Sequence, residues 1–254
     1  MLSYQLGMDL NYETAFGQKI EEKEKTMGDY AGFASVNMDL LDFLTLQPTM
    51  RFIYNTRYDA PLIPSLNLKA DIFDGFQARA SYARGFRAPS LKELYLQFVD
   101  VNHNIHGNDD LKAETSHSIN LGLNYMIESK RFALKLNPKF FYNDIENRIS
   151  LANVEQDLYS YVNVGEYRTL GYSFLIQYFR SSISFDLGFS YTGRSNRGTD
   201  LAGAVPEFNY SPEVKMNLFY NIPYIDTKFS VFYKYTGELP GYSIMDEDSL
   251  TISE

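Results

Sequence analysis

The chain has 254 residues and no cysteine, which excludes disulfides, thiolate metal sites and thiol nucleophiles. Its 23 basic against 32 acidic residues leave a net charge of −9, the wrong balance for a nucleic-acid backbone. No apolar run reaches the roughly 18 residues of a membrane-crossing helix, and the alternating start from Met1 to Leu10 has no signal-peptide pattern.

Taken in chain order, the sequence repeats with period two. Leu2, Tyr4, Leu6, Met8, Leu10 and Tyr12 oppose Ser3, Gln5, Gly7, Asp9, Asn11 and Glu13. Further apolar rows follow in Tyr30–Leu40, Leu44–Tyr54, Leu62–Ile72 and Phe76–Tyr82, where Gln77, Arg79 and Ser81 form the polar side. Ile119, Leu121, Leu123, Tyr125 and Ile127 oppose Ser118, Asn120, Gly122 and Asn124. Rows in Phe132–Tyr142, Tyr172–Tyr178, Ile183–Tyr191, Val214–Ile222 and Phe229–Tyr235 complete the series. Side chains alternate between the two faces of a strand, so each segment predicts a strand with one apolar and one polar face.

A soluble sandwich or solenoid also alternates. These segments are longer than the roughly 5–6 residues usual in soluble strands, and 21 Tyr and 19 Phe suit the edges of an apolar layer. Mean hydropathy of −0.30 fits a barrel with a wet interior. The reading is an all-β, antiparallel transmembrane β-barrel wall of about 11 strands, facing lipid on one side.

Short connections are expected near Leu41–Phe43, Phe73–Gly75, Ser129–Lys130, Arg180–Ser181 and Pro223–Tyr224. They take turns with longer ones at Ala15–Gly28, Arg87–Thr115 and Arg194–Asn209 and modest ones near Arg57–Pro61 and Ala152–Asp157. Short periplasmic turns and long outer loops are the habit of outer-membrane barrels. After Tyr235 the expectation is an outer loop and no further strand. An odd number of strands that begins and ends with an outward one cannot close as an ordinary even-stranded bacterial barrel, so the expectation is a partial barrel over residues 1–254 completed by other strands.

Four phrases carry a family resemblance. ARASYARGFRAPSLKELY spans Ala78–Tyr95, and GNDDLKAETSHSINLGLNY spans Gly107–Tyr125. FFYNDIENRI spans Phe140–Ile149, and YVNVGEYRTLGYSF spans Tyr161–Phe174. In this order they resemble the barrel of TonB-dependent outer-membrane receptors, of the siderophore and cobalamin type. The resemblance implies the later half of a barrel of about 22 strands, lacking its plug and last strand. It also implies active uptake of an iron–siderophore complex or cobalamin, energised through TonB, with no enzymatic activity and no cofactor. The implied partners are outer-membrane lipid, the receptor's own plug, the TonB complex and a surface lipoprotein, with no nucleic acid. A passive porin, a barrel enzyme and an adhesin are the competing classes.

Candidate contacts follow from this. Pro89 and Ser90 before LKEL predict a capped helical turn, with Ser90 as cap and Glu93 three residues on. Arg84 and Arg79 are candidates for plug or ligand contact, and Arg87, His103, His106 and Asn108 for ligand contact in the long outer loop. The other reading of Arg84 and Arg87 is structural, an arginine in the wall paired with an acidic neighbour. The resemblance leaves one alternative within the family, a haem receptor using His103 or His106 as iron ligand, because haem receptors of this family carry an FRAP phrase and an NPNL phrase with a ligating His between. Here Phe86–Pro89 reads FRAP, but Asn108–Leu111 reads NDDL, which departs from that pattern. Asp100, Asp109, Asp110 and Glu114 are dense enough to raise Ca²⁺, yet their spacing matches no EF-hand, and no metal site is expected. His117 begins a strand and reads as wall.

Overall fold

A computed structural model describes residues 1–155, 157–197, 208–225, 227–238, 241–246 and 249–253. In chain order the elements are β1 (Leu2–Phe16), β2 (Glu24–Leu41), β3 (Leu44–Asn55), β4 (Ile63–Phe73) and β5 (Phe76–Arg87). A helical turn α1 (Leu91–Tyr95) and two short strands, β6 (Gln97–Val99) and β7 (Asn104–His106), fill the next connection. Then come β8 (Glu114–Glu128), β9 (Ala133–Glu155), β10 (Leu158–Arg180), β11 (Ile183–Arg197), β12 (Asn209–Ile222) and β13 (Thr227–Thr236).

Among the described residues, β1 to β5 and β8 to β13 form one antiparallel meander in chain order, eleven long strands with both edges open. The predicted period is present, and in most strands the faces are those read from sequence. One departure is an edge-to-face pair of Phe219 and Phe232 at 5.3 Å, both outside the apolar rows.

Register sorts the apolar face into zones. Tyr82 lies opposite Ile119, Ile119 opposite Tyr142, and Tyr142 opposite Leu170. Near the loop ends, Tyr191 stacks on Tyr210 at 5.0 Å, and Tyr172 meets Tyr191 at 5.9 Å. Near the short turns, Phe73, Phe76 and Tyr125 cluster at 4.9 to 6.1 Å. Aromatic bands at both ends of an apolar zone are the mark of a barrel wall at the two membrane interfaces. One residue pair beyond the Tyr82 row, the same face turns polar: Arg84, His117, Asp144 and Arg168 are cross-strand neighbours. Arg168 bonds Asp144 at 3.1 Å and Glu166 at 2.8 Å. Hydrocarbon does not tolerate such a row, so the apolar layer ends between the two.

Turn chemistry fixes register at the short end. Asp74–Gly75 joins β4 to β5 as a two-residue loop, with Gly75 at φ 80°. A Cβ on Gly75 would run into the Met126 carbonyl, so this position needs glycine twice over.

Three expectations are corrected. The Ala15–Gly28 connection is half strand, because β1 and β2 stay paired as far as Phe16 and Glu24. The stretch after Tyr235 contains two further paired strands, β14 (Gly241–Asp246) and β15 (Ser249–Ser253). The Arg194–Asn209 connection continues β11 to Arg197, and residues 198–207 lie outside the described ones.

Candidate functional site

Among the described residues, the buried apolar core lies at the loop end of the wall. Leu94 is 1% exposed, and with Met27, Leu91, Tyr95, Leu111 and Ile149 it forms a small apolar core. Met27 lies opposite Glu13, on the polar rows, so this core caps the polar face. Five residues of helix are far too few to persist alone. The turn is held by its cap: Ser90 Oγ accepts from the Glu93 backbone N–H at 3.3 Å, and a Glu93 carboxylate oxygen accepts from the Ser90 N–H at 2.7 Å. This is the capping box read from sequence.

Arg87 anchors the stem. Its Nη1 donates to Glu93 at 2.9 Å, and its Nε and Nη2 donate to Glu114 at 2.9 and 2.7 Å. Glu114 also accepts from the Ile149 N–H at 2.7 Å. Burial raises the Glu93 carboxyl, but Arg87 and the Ser90 N–H outweigh it and hold the group below the ordinary range. The arginine-with-acid reading of Arg87 therefore describes what the structure shows.

From this stem the segment reaches both flanks. Toward one side, Ile20 bridges Leu96, Gln97 N donates to the Lys19 carbonyl at 2.8 Å, and Glu21 N donates to the Tyr95 carbonyl at 3.1 Å. Lys19 Nζ sits 3.8 Å from the Phe98 ring centroid. Toward the other, β7 pairs in parallel with β10 through Ile105–Tyr159 and His106–Ser160. Asn108 Nδ2 donates to the Tyr161 carbonyl at 2.9 Å. Asn163 accepts from Lys112 N at 2.8 Å and donates to the Lys112 carbonyl at 3.0 Å. The connection is thus a strap slung from β10 to the β1–β2 loop, over the polar face. Gly107 is the tight point: a Cβ there would lie 2.5 Å from Leu94 and Tyr95 backbone atoms.

On the polar face lies an open concavity of about 1100 Å³ lined by Gln47, Asn67, Lys69, Arg79, Asn120 and Lys139, among others. A wall apolar on one face and polar on the other, with a folded strap at its loop end, is the architecture of part of an outer-membrane barrel. The family model for the TonB dependent receptor-like β-barrel matches residues 4–246.

The chain belongs to the TonB-dependent receptor β-barrel family. This receptor wall lies in the outer membrane. It is 31% identical over 150 residues to the ferrienterobactin receptor of Escherichia coli (strain K12), covering 52% of this chain and 20% of that protein. It is 36% identical over 90 residues to hemoglobin and hemoglobin-haptoglobin-binding protein B of Haemophilus influenzae, covering 35% of this chain and 8% of that one. Its fold matches the siderophore receptor PirA from Pseudomonas aeruginosa with a TM-score of 0.69 at 18% identity, covering 92% of this chain and 43% of that one. The FrpB iron transporter from Neisseria meningitidis matches at 0.66 and 18%, covering 94% and 41%. The receptor wall therefore spans about a fifth of the curated Escherichia coli relative and under half of these solved chains.

The sequence candidates separate in space. Arg79 lines the concavity. Arg84 shares the row of Tyr82 on the opposite face, where Nη1 reaches the Leu62 carbonyl at 3.5 Å. His103 and His106 do not converge: His103 Nδ1 faces Asp100 at 3.0 Å and its ring stacks on Phe98, while His106 Nε2 faces Asn104 at 3.0 Å. Asn108 is spent on the strap. The Ca²⁺ candidates are also scattered, with Glu114 on Arg87, Asp100 on His103, and no metal-holding group among the described residues. His117 pairs with Tyr82 at 2.8 Å on the wall. Sequence reasoning missed the roles of Lys19, Tyr161 and Asn163, although the last two stand in a quoted phrase, because no local pattern marks which loop will dock on a strand far along the chain.

Proposed function

We propose that this chain forms part of the wall of an active importer for an iron–siderophore complex, energised through TonB and gated by the receptor's own plug. The observation that carries the reading is the polar concavity on the inner face of the wall, in a chain of this receptor family. Relatives that share the wall are receptors for ferric enterobactin and hemoglobin. Binding falls to the outer loops, among them the strap that Arg87 and Asn108 hold in place and that carries His103 and His106, and passage falls to the polar face. The wall itself performs no bond chemistry.

A second reading, haem capture, is favoured by one piece of geometry. Asp100 holds His103 Nδ1, and the ring is stacked on Phe98. A carboxylate on one imidazole nitrogen orients the other toward a metal.

Both readings are tested in the intact receptor by iron-dependent growth on ferric enterobactin or on haemoglobin as sole iron source. Deleting residues 88–113 should abolish uptake of the ligand that the receptor takes. Unchanged uptake would remove the strap from the binding site. Loss of haemoglobin use alone in His103→Ala would favour the haem reading. Uptake that persists without TonB would identify a passive pore instead.

A further inference from the structure

Charge is divided along the short-turn end of the wall. The β8–β9 turn carries Lys130 and Arg131, Arg180 ends β10, and Lys228 stands at the foot of β13. The β2–β3 and β4–β5 turns carry Asp42 and Asp74 instead. All four cations are exposed, and among the described residues no hydrogen bond or ion pair engages any of them. They border one hollow of about 580 Å³, in a chain whose net charge is −9.

The apolar face runs directly into these cations. Phe132 stacks on Tyr178 at 6.1 Å, Ile183 lies opposite Tyr220, and Tyr220 opposite Phe229. Arg180 comes two residues after Tyr178, on the same face of β10. Phe132 and Tyr220 border the hollow together with the four cations, and Phe179 and Phe219 reach it from the polar face, so it wraps the rim of the wall. Lys and Arg lay their apolar stems along such a boundary and keep the charged head in the polar layer. An acidic peptide or free phosphate would answer the cations and leave the aromatic row uncovered. An amphiphile with acyl chains and a phosphodiester answers both. Its net charge must be negative, because the ammonium of a zwitterionic headgroup would be repelled by the same cations.

We propose that the β8–β9 and β10–β11 turns hold an anionic phospholipid of the inner leaflet, with its phosphate among Lys130, Arg131 and Arg180 and its acyl chains along Phe132, Tyr178 and Tyr220. Lys228 adds to the field from the foot of β13. The Asp42 and Asp74 turns meet the same boundary, below Phe43 and Phe73, with the opposite sign, so the contact is confined to one arc of the wall. The site is independent of which cargo the receptor takes and of whether uptake is active.

The test is photo-crosslinking of the intact receptor in nanodiscs of phosphatidylethanolamine. A minor fraction of phosphatidylglycerol, or of phosphatidylcholine as control, carries a diazirine at the head end of one acyl chain, and labelled peptides are read by mass spectrometry. A basic residue near an anionic lipid surface is worth a factor of about 5, so phosphatidylglycerol should label residues 129–132 and 178–183 at least about tenfold more than phosphatidylcholine. Residues 72–76, around Asp74, should show no such preference, and this comparison needs no variant. The Lys130→Gln/Arg131→Gln/Arg180→Gln variant should lose the preference, and Lys130→Arg/Arg131→Lys/Arg180→Lys should keep it. Heat-modifiable migration on gels confirms that each variant is folded. Equal labelling by the two lipids would overturn the proposal, as would a preference that is as strong at residues 72–76 or survives in the glutamine variant. Inorganic phosphate that abolishes the preference, when sodium chloride at matched ionic strength does not, would assign the cations to a free anion. Labelling that appears only when the plug is deleted would assign the hollow to the plug.

Discussion

Glu114 accepts both Nε and Nη2 of Arg87, at 2.9 and 2.7 Å, across the paired ends of β5 and β8. Forked pairing of this kind fixes orientation as well as charge. The fork sets the angle at which the chain leaves β5, and so where the strap lands. Arg87→Lys keeps the charge and loses the fork. Arg87→Met strands two carboxylates; because the guanidinium is about half-exposed, the expected cost is about 1–3 kcal/mol, below the value for a fully buried pair. Limited proteolysis of residues 88–113 should accelerate in both variants, more in Arg87→Met, with the barrel still heat-modifiable. Equal protease resistance in all three proteins would remove Arg87 as the anchor.

Acid should loosen the same turn. The Glu93 carboxyl is held below its ordinary value of 4.5, so its charged form stabilises the folded strap. For a depressed carboxylate that contribution is full above the unfolded value and is lost as pH falls through the folded one. Hydrogen exchange at the Glu93, Leu94 and Asn108 amides should be flat, after correction for intrinsic rate, from neutral pH down to about 4.5, then lose protection. Glu93→Gln should be weakly protected at every pH. A transition near pH 6 to 7 would point to histidine and away from Glu93.

The strap's apolar side is as exacting. Leu94→Ala empties the centre of the only small core at the mouth among the described residues, at an expected cost of about 2–5 kcal/mol to strap docking. Gly107→Ala pushes a methyl group into the Leu94–Tyr95 backbone, and overpacking of that kind costs about 1–3 kcal/mol. Both should raise exchange rates in residues 91–111 and leave β11 to β13 unchanged. A global loss of barrel stability in either variant would show that the core is not local.

The reach to the β1–β2 loop is open to a chemical test, since the chain has no cysteine of its own. Ile20 and Leu96 are bridge partners, and bridged positions fall within the span of a disulfide. The Ile20→Cys/Leu96→Cys double variant should cross-link under mild oxidation, and each single variant should not. Absence of an intramolecular cross-link in a folded receptor would separate the strap from that loop.

The two faces of β8 should answer oppositely to charge. Leu121→Lys places an ammonium in the lipid zone, at a cost of about 2–4 kcal/mol near the midplane. Asn120→Lys, one residue away, faces the concavity. Outer-membrane abundance should fall for the first and hold for the second. Equal tolerance of both would invert the assignment of faces.

The sequence by itself determined the wall. Alternation is a property of neighbouring residues, so Ile119 to Ile127 declared two faces without any partner strand, and eleven rows declared the meander. The cap of Ser90 and Glu93 was legible for the same reason: both ends of the interaction lie within one turn. Only the tertiary structure decided the strap and the basic rim. Arg87 finds Glu114 across 27 positions, and Asn163 finds Lys112 across 51. Lys130, Arg180 and Lys228 come to border one hollow only once strand register is set. Register depends on turn geometry and on pairing between distant segments, and no local pattern in the chain encodes which distant side chain it will bring alongside.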